Sequence, residues 1–135
     1  MTGNSKNIGE VCEIMIMAAF LKRGIPVLTP FGDNQRYDMV LDTPSGFKRV
    51  QCKTGRLRQG VIQFSVASSA YHRKGKRQGY HGQIDLFGVY CPENQKCYLV
   101  PIQNAPPKNL CTLRLEPAAN NQSRNVRWAV DFEIM

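Results

Sequence analysis

What this chain lacks bounds it first. No run among its 135 residues approaches the ~18 apolar positions of a membrane-spanning helix, and the start MTGNSKNIGE carries no hydrophobic signal segment. Both absences predict a soluble, cytoplasmic protein with no membrane partner. The CxxC spacing is absent as well. The five cysteines, Cys12, Cys52, Cys91, Cys97 and Cys111, are odd in number and scattered, which favours free, mostly buried thiols in a reducing compartment over a disulfide framework or a zinc site. Acids are scarce, ten against 18 Lys and Arg, for a formal net charge of +8. A hydrophobic content of 42% excludes intrinsic disorder. The length suits one domain, residues 1–135, because domains of roughly 100 to 150 residues are the commonest.

The most informative absence is local. From Thr43 to Ile84, 42 residues, there is no Asp or Glu, where an even spread would place about three. Nine of the 18 basic residues fall in that window: Lys48, Arg49, Lys53, Arg56, Arg58, Arg73, Lys74, Lys76 and Arg77. Five of the ten acids, Glu10, Glu13, Asp33, Asp38 and Asp42, lie in the stretch just before it. A positive segment beside clustered carboxylates suggests a polyanion surface next to a cation-binding site. A solvated basic face with no partner is the plainer alternative.

Periodicity supplies a frame. Ile8 to Arg23 reads as a helix, with Asn7 as N-cap and Gly24 as its stop. It is apolar almost all round and is therefore expected to be buried. Strands are expected around Ile25 to Thr29, at Tyr37 to Asp42 and, across the TPSG turn at Thr43 to Gly46, at Phe47 to Thr54. Val61 to Val66 is expected as a further hairpin partner, Ser68 to Gly82 as a loop or weakly apolar helix, and Ile84 to Tyr90 with Lys96 to Ile102 as a hairpin across PENQ. Short strand-like runs at Thr112 to Leu115 and Val126 to Ile134 carry little functional content. The expectation is an α/β (α+β) domain in which a buried N-terminal helix packs on a mixed central β-sheet.

Side chains alternate along a strand, so Arg49, Gln51 and Lys53 share one face of FKRVQCKT, and Asp38 shares one face of its strand with Val40 and Asp42. If the two strands pair around TPSG, Asp38, Gln51 and Lys53 converge at one end of the sheet. A hard cation such as Mg²⁺ takes one or two carboxylates plus other oxygens, which Asp38, the Gln51 amide and the Cys52 backbone carbonyl can supply. Lys53 can then hold or deprotonate the attacking water and neutralise a scissile phosphate. Glu13, a charge on an otherwise apolar helix, calls for a cationic partner. The plainer readings are an ordinary Asp38–Lys53 cross-strand pair and a structural partnership of Glu13 with Arg36 or Lys53. Glu10 is explained by the helix dipole and Asp33 by its turn.

The ordered set GEVCE, LKRG, PFGDNQRYDMVLD and VQCKTG resembles the PD-(D/E)XK nuclease superfamily. Within it the set is most similar to the branch of group I intron-encoded homing endonucleases, with archaeal Holliday-junction resolvases more distant. The resemblance is close over Asn7 to Thr54 and looser through Ile102. It implies a restriction-endonuclease-like core and catalytic roles for Asp38 as metal-binding Asp, Gln51 at the (D/E) position, Lys53 as the lysine and Glu13 as the helix glutamate. Mg²⁺ is the implied cofactor, with Mn²⁺ as a substitute. Two positions depart from the motif: Tyr37 stands for Pro, and Gln51 for a carboxylate. That branch tolerates Gln there, and the missing charge weakens divalent-ion affinity.

DNA, duplex or branched, is the implied partner. Lys and Arg supply affinity through phosphates, and groove-directed side chains read bases. The expected contacts are Arg36, Arg56, Arg58, Ser68, Ser69, His72, Arg73, Lys74, Lys76, Arg77 and Tyr80. Cutting two strands with one site per chain calls for a homodimer or tetramer. The leading expectation is a Mg²⁺-dependent, site-specific DNA endonuclease. The alternatives are a Holliday-junction resolvase and a non-catalytic nucleic-acid-binding module.

Overall fold

A computed structural model describes residues 5–32, 34–68, 78–107, 109–117 and 126–134. The elements are helix α1 (Ser5–Lys22) and ten strands: β1 (Val27–Leu28), β2 (Met39–Thr43), β3 (Gly46–Thr54), β4 (Arg56–Arg58), β5 (Val61–Ser65), β6 (Ala67–Ser68), β7 (Gln78–Gly79), β8 (Leu86–Cys91), β9 (Lys96–Pro101) and β10 (Leu110–Arg114). The fold class matches expectation. Five strands form a mixed sheet in the order β1-β2-β3-β8-β9, in which only β3 and β8 run parallel.

Helix α1 begins at Ser5, so Asn7 lies inside it and Glu10 lies beyond its first turn, which has no acid. The dipole account of Glu10 therefore does not apply. Its end is as expected. Gly24 adopts φ 75°, and the Ile25 and Gly24 N–H groups return to the Phe20 and Leu21 carbonyls, a left-handed termination that suits glycine. One face of α1 is buried, with Cys12, Ile16, Ala19 and Phe20 against Met39, Leu41 and Val50 of the sheet. The opposite face is not: Val11, Ile14 and Leu21 are 48, 62 and 54% exposed. The expectation of an all-round buried helix is corrected to a helix covered by one layer.

The Val61 strand also departs from expectation. It does not extend the main sheet but forms a second one, ordered β10-β5-β4, that lies across the far face. The chain leaves the first sheet at Gly55, whose N–H donates to the Tyr90 carbonyl and where a Cβ would lie 2.8 Å from Ile62 Cγ2. Only glycine fits so close an approach. Ile62, Phe64, Cys111 and Leu113 then pack on Phe87, Val89, Cys91, Tyr98 and Val100. β8 is buried on both faces, which explains its unbroken apolar run.

Val126 to Ile134 is not a strand. Trp128 bridges to Arg114, Ala129–Asp131 forms a 3-10 turn, and Glu133 bridges to Tyr98. All five cysteines are free, four of them buried. No helix among the described residues is long and apolar enough to cross a membrane. Asp33 lies outside the described residues.

Helix and sheet meet closely at Gly88, where a Cβ would stand 2.9 Å from Ile16 Cγ2 and 3.1 Å from Val50 Cγ1. Both neighbours are fully buried and cannot yield freely. Gly88→Ala is expected to cost about 1–3 kcal/mol of stability in urea unfolding, and an unchanged midpoint would refute this packing.

Candidate active site

The site grows out of a change of partner in β3. This strand pairs with β2 over Gly46 to Val50 and with β8 over Val50 to Thr54. Each pairing leaves part of an edge open, and a carboxylate occupies each opening. On the β8 side, Asp85 Oδ2 accepts from the Arg49 N–H at 2.8 Å. On the β2 side, Asp38 Oδ2 accepts from the Cys52 N–H at 2.8 Å, while the Asp38 N–H donates to the Val50 carbonyl at 2.8 Å.

The two carboxylates do the same backbone work in opposite electrostatic settings. Asp85 also pairs with the Arg49 guanidinium at 3.2 Å, and that bond holds its pKa below the ordinary carboxylate value. Asp38 is pushed above the ordinary value of 3.8 by burial, which outweighs the Cys52 N–H and the positive charge of Lys53.

Glu13 faces Asp38 from α1. Together they line a pocket of about 220 Å³ with Gln35 and Tyr37 among its walls. The Glu13 pKa is raised by partial burial, then by the negative charges of Asp38 and Glu10. The cationic partner expected for Glu13 is not there: none of the ion pairs among the described residues involves Glu13 or Lys53. Nor do Asp38 and Lys53 form the ordinary cross-strand pair. No group of three His, Cys, Asp or Glu converges among the described residues.

Lys53 is anchored elsewhere. Its Nζ donates to the Ala67 carbonyl at 3.1 Å and to Tyr80 Oη at 3.2 Å, and lies 4.8 Å from the Tyr80 ring centroid. The other cation on that ring is Arg36, whose Cζ is 4.1 Å from the centroid and whose Nε donates to Gln83 Oε1 at 2.6 Å. Tyr80, expected among DNA contacts, is only 4% exposed, so its role in the fold is to seat Lys53 and Arg36. Gln51 donates its amide nitrogen to the Cys52 carbonyl at 3.3 Å, which links the two remaining oxygen donors to each other. Cys12 Sγ donates to the Lys53 carbonyl at 3.1 Å and ties α1 to the same strand.

The sequence reading missed Ala67, Tyr80 and Asp85 as supports. Only Asp85 had a signal, as the acid that ends the acid-free window. Arg56 and Arg58 are exposed on β4, with Arg56 Nη1 3.5 Å from Glu93 Oε2, and Ser68 ends β6. Ser69, His72, Arg73, Lys74, Lys76 and Arg77 lie outside the described residues.

The family model for PD-(D/E)XK endonucleases matches residues 3–135, essentially the whole chain. The chain belongs to the PD-(D/E)XK endonuclease family. Its fold is shared with a bacterial homing endonuclease, I-Ssp6803I, at a TM-score of 0.71 and 22% identity, over 97% of this chain and 89% of that one. No curated protein sequence matches. In this PD-(D/E)XK chain two carboxylates, Glu13 and Asp38, line one open pocket, a donor type that suits a hard divalent cation, while the Gln51 amide and the Cys52 carbonyl lie on the adjoining strand and are not among the residues lining it.

A raised carboxylate pKa means that the folded chain binds the Asp38 proton more tightly than the unfolded chain does. The contribution of Asp38 to stability is thus fully present below 3.8 and is lost as pH rises through the higher folded value. Asp38→Asn keeps an oxygen for the Cys52 N–H and removes the charge. It is expected to raise the urea midpoint at pH 7, with the gain shrinking to nothing as the pH falls below 3.8. A lower midpoint at pH 7 would contradict this account.

Proposed function

We propose that this chain is a DNA endonuclease that requires a divalent cation, Mg²⁺ with Mn²⁺ as a substitute, and that it cuts a specific duplex site as a homodimer or tetramer. The observation that carries the reading is the shared pocket of Glu13 and Asp38, with Lys53 one residue beyond the strand position that Asp38 grips. Glu13, Asp38, the Gln51 amide and the Cys52 carbonyl would hold the cation. Bound there, it would polarise the scissile phosphate and lower the pKa of attacking water.

The chain's own contribution is placement. Lys53 is held by two neutral oxygens, so its positive charge remains for a phosphate oxygen or for orienting water. Gln51 removes one negative charge from the donor set and so weakens cation affinity. DNA as substrate implies a cytoplasmic, nucleoid-associated location, and the free thiols accord with a reducing compartment.

Self-association is supported by the outer face of α1. Val11, Ile14 and Leu21 form an exposed apolar stripe at helical spacing, suited to a two-fold contact. Ile14→Glu is expected to lower the mass measured by light scattering while leaving the far-ultraviolet circular dichroism spectrum of the folded chain unchanged. An unaltered mass would remove this stripe from the interface.

The activity is tested by digesting a random duplex library and a four-way junction side by side with Mg²⁺. Site-specific duplex cleavage supports the proposal, and preferential junction cleavage would reassign it as a resolvase. Asp38→Ala and Lys53→Ala are each expected to lose at least about 10²-fold in rate. Wild-type speed in either would refute the site. Mg²⁺ or Mn²⁺ is expected to raise the thermal midpoint of the wild type and to do so less for Glu13→Gln. Tight DNA binding without nicking in either metal would point instead to a non-catalytic binding module.

A further inference from the structure

The second sheet has an outer face that none of the site chemistry uses. Its inward residues, Ile62, Phe64, Cys111 and Leu113, are at most 2% exposed, so alternation turns the intervening residues outward. The registers place them in rows. Arg58, Val61 and Arg114 form one, and Arg56, Gln63 and Thr112 the next. The outward positions on these strands include no acid. Glu93 approaches Arg56 from the flank at 3.5 Å as an exposed pair of little strength, and Arg114 Nε donates to the Glu116 backbone carbonyl at 3.1 Å.

The charge is distributed across the strands in a particular way. The central strand β5 is neutral outward, with Val61, Gln63 and Ser65, whereas the outer strands carry the arginines. Strands lie about 4.8 Å apart, so the cationic strands are separated by about 10 Å, close to the ~12 Å width of the DNA major groove. Successive outward residues along a strand stand about 6.8 Å apart, two base-pair steps of ~3.4 Å. A groove offers bases on its floor and phosphates at its rims, and this sheet presents neutral amide at its centre and guanidinium at its edges. Gln63 is also oriented, since its Nε2 donates to Thr112 Oγ1 at 3.3 Å.

We propose that the outer face of β4-β5-β10 lies in the major groove of duplex DNA, with Gln63 reading a base edge and Arg56, Arg58 and Arg114 binding the flanking phosphates. The proposal rests on the endonuclease reading and extends it to a specificity surface that includes β10, a strand far from the acid-free window in sequence.

The test uses a library of duplexes with a randomised centre, bound in Ca²⁺ and sequenced after selection, together with salt titrations on one fixed mixed-sequence duplex. Gln63→Ala is expected to lose about tenfold or more of the preference at one or two base pairs while binding the fixed duplex within about threefold. Arg58→Ala and Arg114→Ala are expected to keep the selected motif, bind the fixed duplex more weakly and lower the log–log salt slope by about one each. Circular dichroism melts confirm that each variant is folded. If the wild type selects a motif that Gln63→Ala retains, and the arginine variants keep the wild-type slope, the face is wrong although the endonuclease reading stands. A wild type that selects no motif also overturns base reading by this face, and Asp38-dependent plasmid nicking then shows whether the endonuclease reading survives. Preference for duplex RNA over DNA overturns both.

Discussion

The change of partner at Val50 is the constraint from which the rest of this domain follows. A strand that pairs antiparallel on one side and then parallel on the other must leave backbone groups open at both ends of the exchange. Unpaired peptide groups at a buried edge are costly, and both openings are filled by an aspartate rather than by another strand. Asp85 completes its job with an arginine and becomes an internal brace. Asp38 does so while partly buried and facing another carboxylate, and remains in tension with its surroundings. The same hydrogen-bonding solution thus yields an ion-paired carboxylate at one end of β3 and a carboxylate with a raised pKa in a pocket at the other.

That division explains how the excess positive charge is spent. Among the described residues, the basic side chains of the acid-free window do not share one face. Arg49 is committed to Asp85, Lys53 is turned inward onto Ala67 and Tyr80, and Arg56 and Arg58 emerge on the second sheet. Arg114, from outside the window, joins them through the β5–β10 register. Arg49, Lys53 and the Arg56–Arg58 pair thus come to different environments because Gly55 redirects the chain between Lys53 and Arg56.

Much of this was legible in the sequence, and the failures have physical causes. The β2–β3 hairpin announced itself through period-two alternation around TPSG, and the meeting of Asp38 with β3 followed from it. The helix stop was legible because Gly24 and its preceding basic pair form a local signal. The helix start was not, because the chain begins its first turn before the Asn7 that looked like a cap. All-round apolarity in α1 suggested full burial, yet composition cannot say how many layers exist to cover a helix. The second sheet was missed because the reason for it is one close approach at Gly55, between residues distant in sequence. Ala67 and Tyr80, 14 and 27 residues beyond Lys53, left no local trace at all. Their roles depend on how β6 and the segment after β7 return over β3.

That long return has a temporal meaning. The β2–β3 hairpin needs only a two-residue turn and can close early, which brings Asp38 onto β3. Parallel pairing of β3 with β8, and the cradle around the Lys53 ammonium, require chain up to Tyr80 and beyond, and such distant closures come late. During synthesis Asp38 can therefore be seated on β3 while the Lys53 ammonium is still unguided. The seat of the Lys53 ammonium exists only once nearly all of the domain has folded around it.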